Sequence, residues 1–404
     1  MKRSGWASVI ASWFCLFAGA SSIIVFTFGN FLRALTAEFG WSRGLLSNAF
    51  ACSALAAAIA TPILGWLVDR YGIRRVTLPG IVIGGLAVMT LAANNGSAWV
   101  LFVTLPAAGA LTVALTALPY TKAITNWFDQ RRGLALGIAT LGGSIGVAVV
   151  PQLTQSVIST YGWRTACIFL GVLVLVVAFV PALIFLHDRE RNERADAATV
   201  AANTPGFSAH EGRRQWRLWV ICAAFLLAAA GASGIIGQLV PLLTDRGVGV
   251  ENATRMIAVF AIGSAIARMF SGVVLDYVFA PYVGALSFLG GGIGLVLFVT
   301  SNNPNLLIVA TALCGLSIGV EYDLLPYTVS RYMGMRAYGE LVGYCFTCFV
   351  IGTGIVGPLM MGNSFSLLGS YNPSLTAFAC FLFIAAVLLL TLGPYTYPAS
   401  RKHE

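Results

Sequence analysis

Three charged side chains stand in stretches where charge is expensive. Arg268 sits in an otherwise uncharged run between Arg255 and Asp276, and Glu321 and Asp323 are the first charged residues after Asp276. A charged group at the centre of a bilayer costs roughly 2.5–3.5 kcal/mol even on lenient insertion scales, so each must face a cavity or a partner. An arginine there is a permanent cation with a planar fork of donors, suited to holding a carboxylate through two parallel hydrogen bonds. A carboxyl beside it, with its proton affinity raised by desolvation and lowered by the cation, is suited to carrying a proton. The competing interpretation is a buried ion pair that only ties helices together.

The two acids cannot share a task. At about 100° per residue, positions two apart on a helix diverge by about 200°, so at most one looks squarely into a cavity. Local patterning favours Glu321, because Ser317, Glu321 and Thr328 share a face. The internal repeat described below favours Asp323, because it places Gly319, Asp323 and Tyr327 opposite a polar stripe of Thr112, Thr116 and Tyr120. The balance leans to Asp323. Around them, Ser264 lies one turn from Arg268, and Ser233 and Gln238 offer further hydrogen bonds, while Lys122 is expected to snorkel from its helix end to the interface.

The elements that must position these groups are membrane helices. Hydrophobic residues make up 58% of the 404 and charged residues 10%, against roughly 25% charged in a soluble domain. Val76 to Thr121 contains no Asp, Glu, Lys or Arg, enough for two spans of about 20 residues. The apolar runs are too long and uniform for a barrel's alternation. Twelve spans follow, near 6–30, 46–68, 76–93, 100–126, 134–159, 165–186, 218–243, 254–275, 283–300, 306–329, 341–360 and 375–392. They form an N-terminal six-helix bundle over 1–186, a hydrophilic linker over 187–217 and a C-terminal six-helix bundle over 218–404. Helix 1 is too long for a cleaved signal peptide and is expected to stay.

The chain also repeats itself at an offset of 207 residues. Gly65 and Asp69 recur as Gly272 and Asp276, Leu118-Pro119-Tyr120-Thr121 recurs as Leu325-Pro326-Tyr327-Thr328, and Pro151 recurs as Pro358. Two parallel copies of a six-helix unit are the arrangement of transporters that alternate access to a central site.

Lys and Arg concentrate in loops on the side of the termini: Lys2, Arg3, Arg70, Arg74, Arg75, Arg131, Arg132, the linker arginines, Arg331 and Arg336. The other side holds Arg33, Arg43, Arg164, Arg246 and Arg255. Both termini are therefore expected in the cytoplasm. The net charge of +9 is spread over membrane-flanking loops, so it speaks for lipid headgroups and not for nucleic acid.

Other functions find no residues to carry them. His187, His210 and His403 all lie in predicted loops, so no metal site or catalytic base can assemble inside the bilayer. No phosphate-binding G-x-x-x-x-G-K-[ST] is present, and no cofactor is called for. The longest loop is too short for a sensor domain. The eight cysteines fall in or beside spans, and Cys345-x-x-Cys348 and the glycines of 290–294 read as helix packing.

G-W-L-V-D-R-Y-G-I-R-R over 65–75 resembles the loop signature of the major facilitator superfamily, with a degenerate second copy at Gly272 and Asp276. The resemblance implies an all-α membrane protein of twelve transmembrane helices in two pseudo-symmetric six-helix bundles, in which Asp69, Arg70, Arg74, Arg75 and Asp276 gate one side through charge-assisted hydrogen bonds between acid and arginines. N-W-F-D-Q-R-R-G-L-A-L-G-I-A over 126–139, and Arg268 within G-S-A-I-A-R-M-F-S-G, are similar to the monocarboxylate transporter group and its bacterial relatives. That implies that Arg268 binds the substrate carboxylate; with the residues read above, the expectation is a proton-coupled importer of a small organic anion, monomeric and in the inner membrane, with Arg268, Tyr120, Ser264, Gln238, Tyr327 and Thr116 around the substrate and Asp323 or Glu321 carrying the proton. The rival expectations are an exporter of drugs or metabolites, and an importer of a larger carboxylate such as an aromatic acid or a siderophore.

Overall fold

The structure is a computed structural model that describes residues 2–128, 131–186, 205–236, 239–244, 246 and 250–397. Among them, twelve helices are long and apolar enough to cross a membrane. They are α1 (Gly5–Leu32), α2 (Gly44–Tyr71), α3 (Ile73–Ala93), α4 (Ala98–Trp127), α5 (Arg132–Tyr161), α6 (Trp163–Phe185), α7 (Trp216–Gly234), α8 (Met256–Tyr277), α9 (Ala280–Thr300), α10 (Pro304–Tyr332), α11 (Tyr338–Phe365) and α12 (Asn372–Leu390). Each corresponds to one of the spans read from apolar runs, with ends shifted by a few residues except in α7, which stops at Gly234 where the reading ran to 243, a separate short helix lying at Leu239–Thr244.

Local sequence explains where the helices turn. Gly72 and Gly162 adopt φ of 92° and 84°, a region that costs an L side chain energy and glycine nothing, so α2 turns into α3 and α5 into α6 at a single residue each. Ser42 caps α2 by accepting from the Leu45 amide, and Asn303 caps α10 by accepting from Asn305. Lipid-directed positions such as Val103 and Leu286 are large, apolar and exposed, as expected of a surface solvated by hydrocarbon.

Contacts divide the chain into two units. One comprises Met1–Asp129, Ile138–Gly206 and Met335–Gly343; the other comprises Gln130–Gly137, Phe207–Gly334 and Tyr344–Glu404. The first turns of α5 and α11 thus each belong with the half that the rest of their helix does not. In the first unit, a Cβ on Gly142 or Gly146 of α5 would strike the carbonyl of Trp13 or Phe17 of α1. In the second, Gly315 and Gly319 of α10 meet the carbonyls of Phe260 and Ser264 of α8 in the same way. Where lipid supplies no hydrophobic drive between helices, such small-residue crossings let backbones approach and gain dispersion contacts.

The copies differ in one respect. α10 runs without interruption past Pro326, whereas α4 tightens over Thr112–Leu115 and Thr116 becomes extended, with ψ of 172°. Pro119 lacks an N–H and its ring crowds the carbonyl four residues back. Here the chain yields by breaking, and the Tyr120 hydroxyl donates to the Ala114 carbonyl at 2.9 Å. Thr112, Thr116 and Tyr120 therefore do not form one continuous helical stripe, and the symmetry argument that mapped them onto Gly319, Asp323 and Tyr327 fails at the backbone.

Candidate functional site

Within the second unit, Arg268 is buried in the middle of α8. Its guanidinium carbon lies 4.4 Å from the centre of the Tyr322 ring on α10, and Tyr322 meets Phe349 of α11 edge-on, with centroids 5.0 Å apart. A guanidinium over an aromatic face is held in orientation and partly compensated for lost water. One turn further along α8, Ser271 donates to Asp323 at 2.9 Å, so the acid is tied to the helix that carries the arginine. Ser264, one turn before Arg268, is also buried.

α10 presents its two acids to different neighbours. Gly315 and Gly319 meet α8, and Asp323 bonds to Ser271 on that same side. Ser317 approaches Gly291 of α9, and Leu324 approaches Gly284; Glu321, four after the one and three before the other, stands on this opposite side. Both acids are fully buried.

The gating residues occupy the far ends of α2 and α8, and geometry explains the Gly-x-x-x-Asp spacing. Gly65 and Asp69 are one turn apart on one face. A Cβ at Gly65 would collide with the Gly339 carbonyl, so its absence lets the first turn of α11 reach Asp69. Asp69 then accepts from the backbone N–H groups of Gly339 at 2.9 Å and Glu340 at 2.7 Å. In the second unit, Gly272 meets the backbone of Gly133, and Asp276 accepts from the amides of Gly133 at 2.8 Å and Leu134 at 3.1 Å. Each aspartate thus caps a helix to which it does not belong, satisfying donors that a helix start leaves unpaired and complementing its positive end.

The expected arginine partners of Asp69 are not its partners. Its remaining contact is Lys122, at 2.5 Å, which also donates to the Val68 carbonyl. Lys122 is therefore a buried half of an ion pair and does not snorkel. Arg70 lies over the rings of Trp66 and Tyr71, and Arg74 donates to the Leu183 carbonyl at the end of α6. Arg75 is exposed. The strong positive cluster hid the true donors, which are main-chain amides and one lysine that read as an interface residue.

In the first unit Tyr120 is fully buried and bonded to the backbone, and half-buried Thr116 donates its hydroxyl to the Val113 carbonyl. Tyr327 is buried under the Arg331 guanidinium, 5.2 Å away. Gln238 lies outside the described residues, and Ser233 is half-buried. Cys345 meets Cys222 with sulfurs 3.5 Å apart. Among the described residues no group of His, Cys, Asp and Glu is arranged to hold a metal. Tyr322, Ser271 and Phe349 were not anticipated; the Glu-Tyr-Asp run at 321–323 was the signal, since a residue between two divergent acids on one helix must face a third direction.

A tie at the opposite ends of the first unit completes the picture. Glu38, between α1 and α2, accepts from the Trp163 indole and from Arg164 at 2.7 Å, while Arg164 lies over the Trp163 ring. The hydrogen bonds from Arg164 and then Trp163 hold the Glu38 carboxyl below the usual carboxylate range.

Twelve membrane helices built as two copies of a six-helix unit, with a cation and acids at mid-helix, define a multi-pass secondary transporter. The Major Facilitator Superfamily family model matches residues 12–357, and the chain belongs to that superfamily. It is 26% identical to monocarboxylate transporter 11 of Homo sapiens over 97% of this chain and 82% of that protein. It is 23% identical to the uncharacterized MFS-type transporter YhjX of Escherichia coli strain K12, over 87% and 86% respectively. In fold it is similar to the E. coli fucose:proton symporter FucP, with a TM-score of 0.67 at 15% identity, covering 96% of this chain and 98% of that one.

Proposed function

We propose that the chain takes up a small organic monoanion together with a proton, by alternating access. The observation that carries this reading is Arg268: a buried guanidinium, oriented by the Tyr322 ring, with Asp323 one turn away on the facing helix. The guanidinium supplies the two-pronged anchor for a carboxylate. Asp323 supplies a carboxyl whose protonation responds to whether that anchor is occupied, because the substrate's negative charge replaces its own beside the cation. The relatives that carry monocarboxylates in their names, and the proton symporter among the structural neighbours, agree with this chemistry. Asp69 and Asp276 act as releasable caps on the first turns of α11 and α5.

The Lys and Arg asymmetry supports a cytoplasmic position for both termini, and the bacterial relative supports an inner-membrane location. The protein works as a monomer in this reading. The test is uptake of organic acids into proteoliposomes under an inward proton gradient. Concentrative uptake that collapses with the gradient is the expected result; uptake indifferent to it would remove the proton from the mechanism.

A further inference from the structure

The mechanism above makes no use of Glu321, and its surroundings are unusual. The side chain is fully buried, and neither carboxylate oxygen has a hydrogen-bond partner. Ser317 Oγ, one turn earlier on the same face, is buried and unpartnered as well. Thr328 Oγ1 shares this condition, but stands about 10 Å along the helix axis and cannot share a ligand with Glu321. On α9, Ser287 approaches the Ser317 carbonyl at 3.5 Å, and Gly291 leaves the space into which Ser317 projects.

Among the described residues, no fixed charge is bonded to the acid. The elements packed most closely against α10 are α7, α8 and α9; Phe349 of α11 meets Tyr322, and Arg132 of α5 donates to Ser330, nine residues beyond Glu321. α9 contains no Asp, Glu, Lys, Arg or His. On α8, Arg268 is engaged with Tyr322 and Asp276 with Gly133 and Leu134. On α7, Arg217 bonds to Thr396 and lies over Tyr332. On α10 itself, Asp323 bonds to Ser271 and Arg331 lies over Tyr327. A carboxylate sealed from water with no counter-charge is not tolerated in a native interior; it binds a cation. The donors here are oxygens only, which suit a proton or a hard alkali ion and not a soft metal.

We propose that Glu321 and Ser317, at the α9–α10 contact, form a seat for one small monovalent cation, a proton or a sodium ion, on the opposite side of α10 from Arg268 and Asp323. The seat is loaded without substrate, and it is distinct from the proton site that transport uses.

The test is made on the purified full-length protein in nanodiscs with no organic acid present. Thermal unfolding is followed across a sodium series balanced with choline at alkaline pH, and across a falling pH series without sodium. A cation that binds the folded state raises the midpoint by mass action. A sodium-dependent rise identifies sodium; a rise only with falling pH identifies the proton. Glu321→Gln, whose amide needs no cation, should lose that response and keep a raised midpoint. Ser317→Ala should shift the response to about tenfold higher cation concentration, as loss of one oxygen partner predicts. It provides the readout if the amide variant does not assemble. Identical sodium and pH responses in wild type and Glu321→Gln, or an unshifted response in Ser317→Ala, would overturn the proposal. Since no substrate is used, failure here leaves the Arg268 reading untouched, and failure of acid binding leaves this one untouched.

Discussion

Arg268 and Tyr322 form a cation–aromatic pair across α8 and α10, with 4.4 Å between guanidinium carbon and ring centre. The pair makes two separable demands, charge and orientation. Arg268→Lys keeps the first and loses the second, because a compact ammonium cannot offer two parallel hydrogen bonds. Ligand titration of this variant should show organic-acid affinity reduced by more than tenfold. Tyr322→Leu keeps the cation but removes a contact of about 0.5–2 kcal/mol, and should weaken binding by up to about 30-fold. Unchanged affinity in both would leave Arg268 a structural residue.

Asp323 tests the coupling. Asp323→Asn should abolish gradient-driven accumulation while preserving exchange of substrate across the membrane, since exchange returns loaded carriers without net proton release. Proteoliposome assays of the two modes decide it. Loss of both modes together would assign Asp323 to folding, through its bond to Ser271.

The aspartate caps predict a steric phenotype. Gly65→Ala places a methyl on the Gly339 carbonyl and Gly133→Ala places one on the Gly272 carbonyl, so either should push the capped helix start away from its aspartate. Lys122→Met leaves the Asp69 charge with only its two amide donors; breaking one side of a buried pair costs about 3–5 kcal/mol in the strong cases. All three variants should melt earlier than wild type. Proteolysis at the α2–α3 and α10–α11 connections should rise in parallel.

Tyr120 separates packing from binding. Its hydroxyl bonds to the carbonyl of Ala114 in the broken stretch of α4, so Tyr120→Phe should cost about 1–3 kcal/mol by orphaning a buried acceptor. Acid affinity, measured on the same sample, should stay near wild type.

Glu38 gives a pH signature. Its folded value lies below the ordinary 4.5 because Arg164 and Trp163 bond to the ionised form. Its contribution is therefore complete above 4.5 and is lost as pH falls through the folded value. Glu38→Gln should melt earlier than wild type at neutral pH and converge with it at low pH, so that the acid limb of its melting curve flattens; a difference that appears only at low pH would contradict the assignment.

The fold was legible because its signals are one-dimensional. Apolar length gives the spans, and an offset of 207 relates Gly65 and Asp69 to Gly272 and Asp276. The site was legible only for residues whose chemistry is anomalous in lipid, such as Arg268. Tyr322 was missed because a tyrosine in a membrane helix is ordinary until its neighbour across the interface is known. Lys122 was misplaced because reach along a side chain does not say whether an acid waits at Asp69. The polar stripe of α4 failed because periodicity presumes the regular backbone that Pro119 interrupts.

That interruption has a mechanical consequence. α10 keeps its helical course through Pro326, although that residue donates no bond to the Tyr322 carbonyl, so the Arg268–Tyr322 contact and Tyr332 stay on one helical rod. α4 instead has a joint at Thr116, where the backbone leaves the helical region and bending can concentrate in a few torsions. The two halves began as duplicates and have become a strut and an elbow.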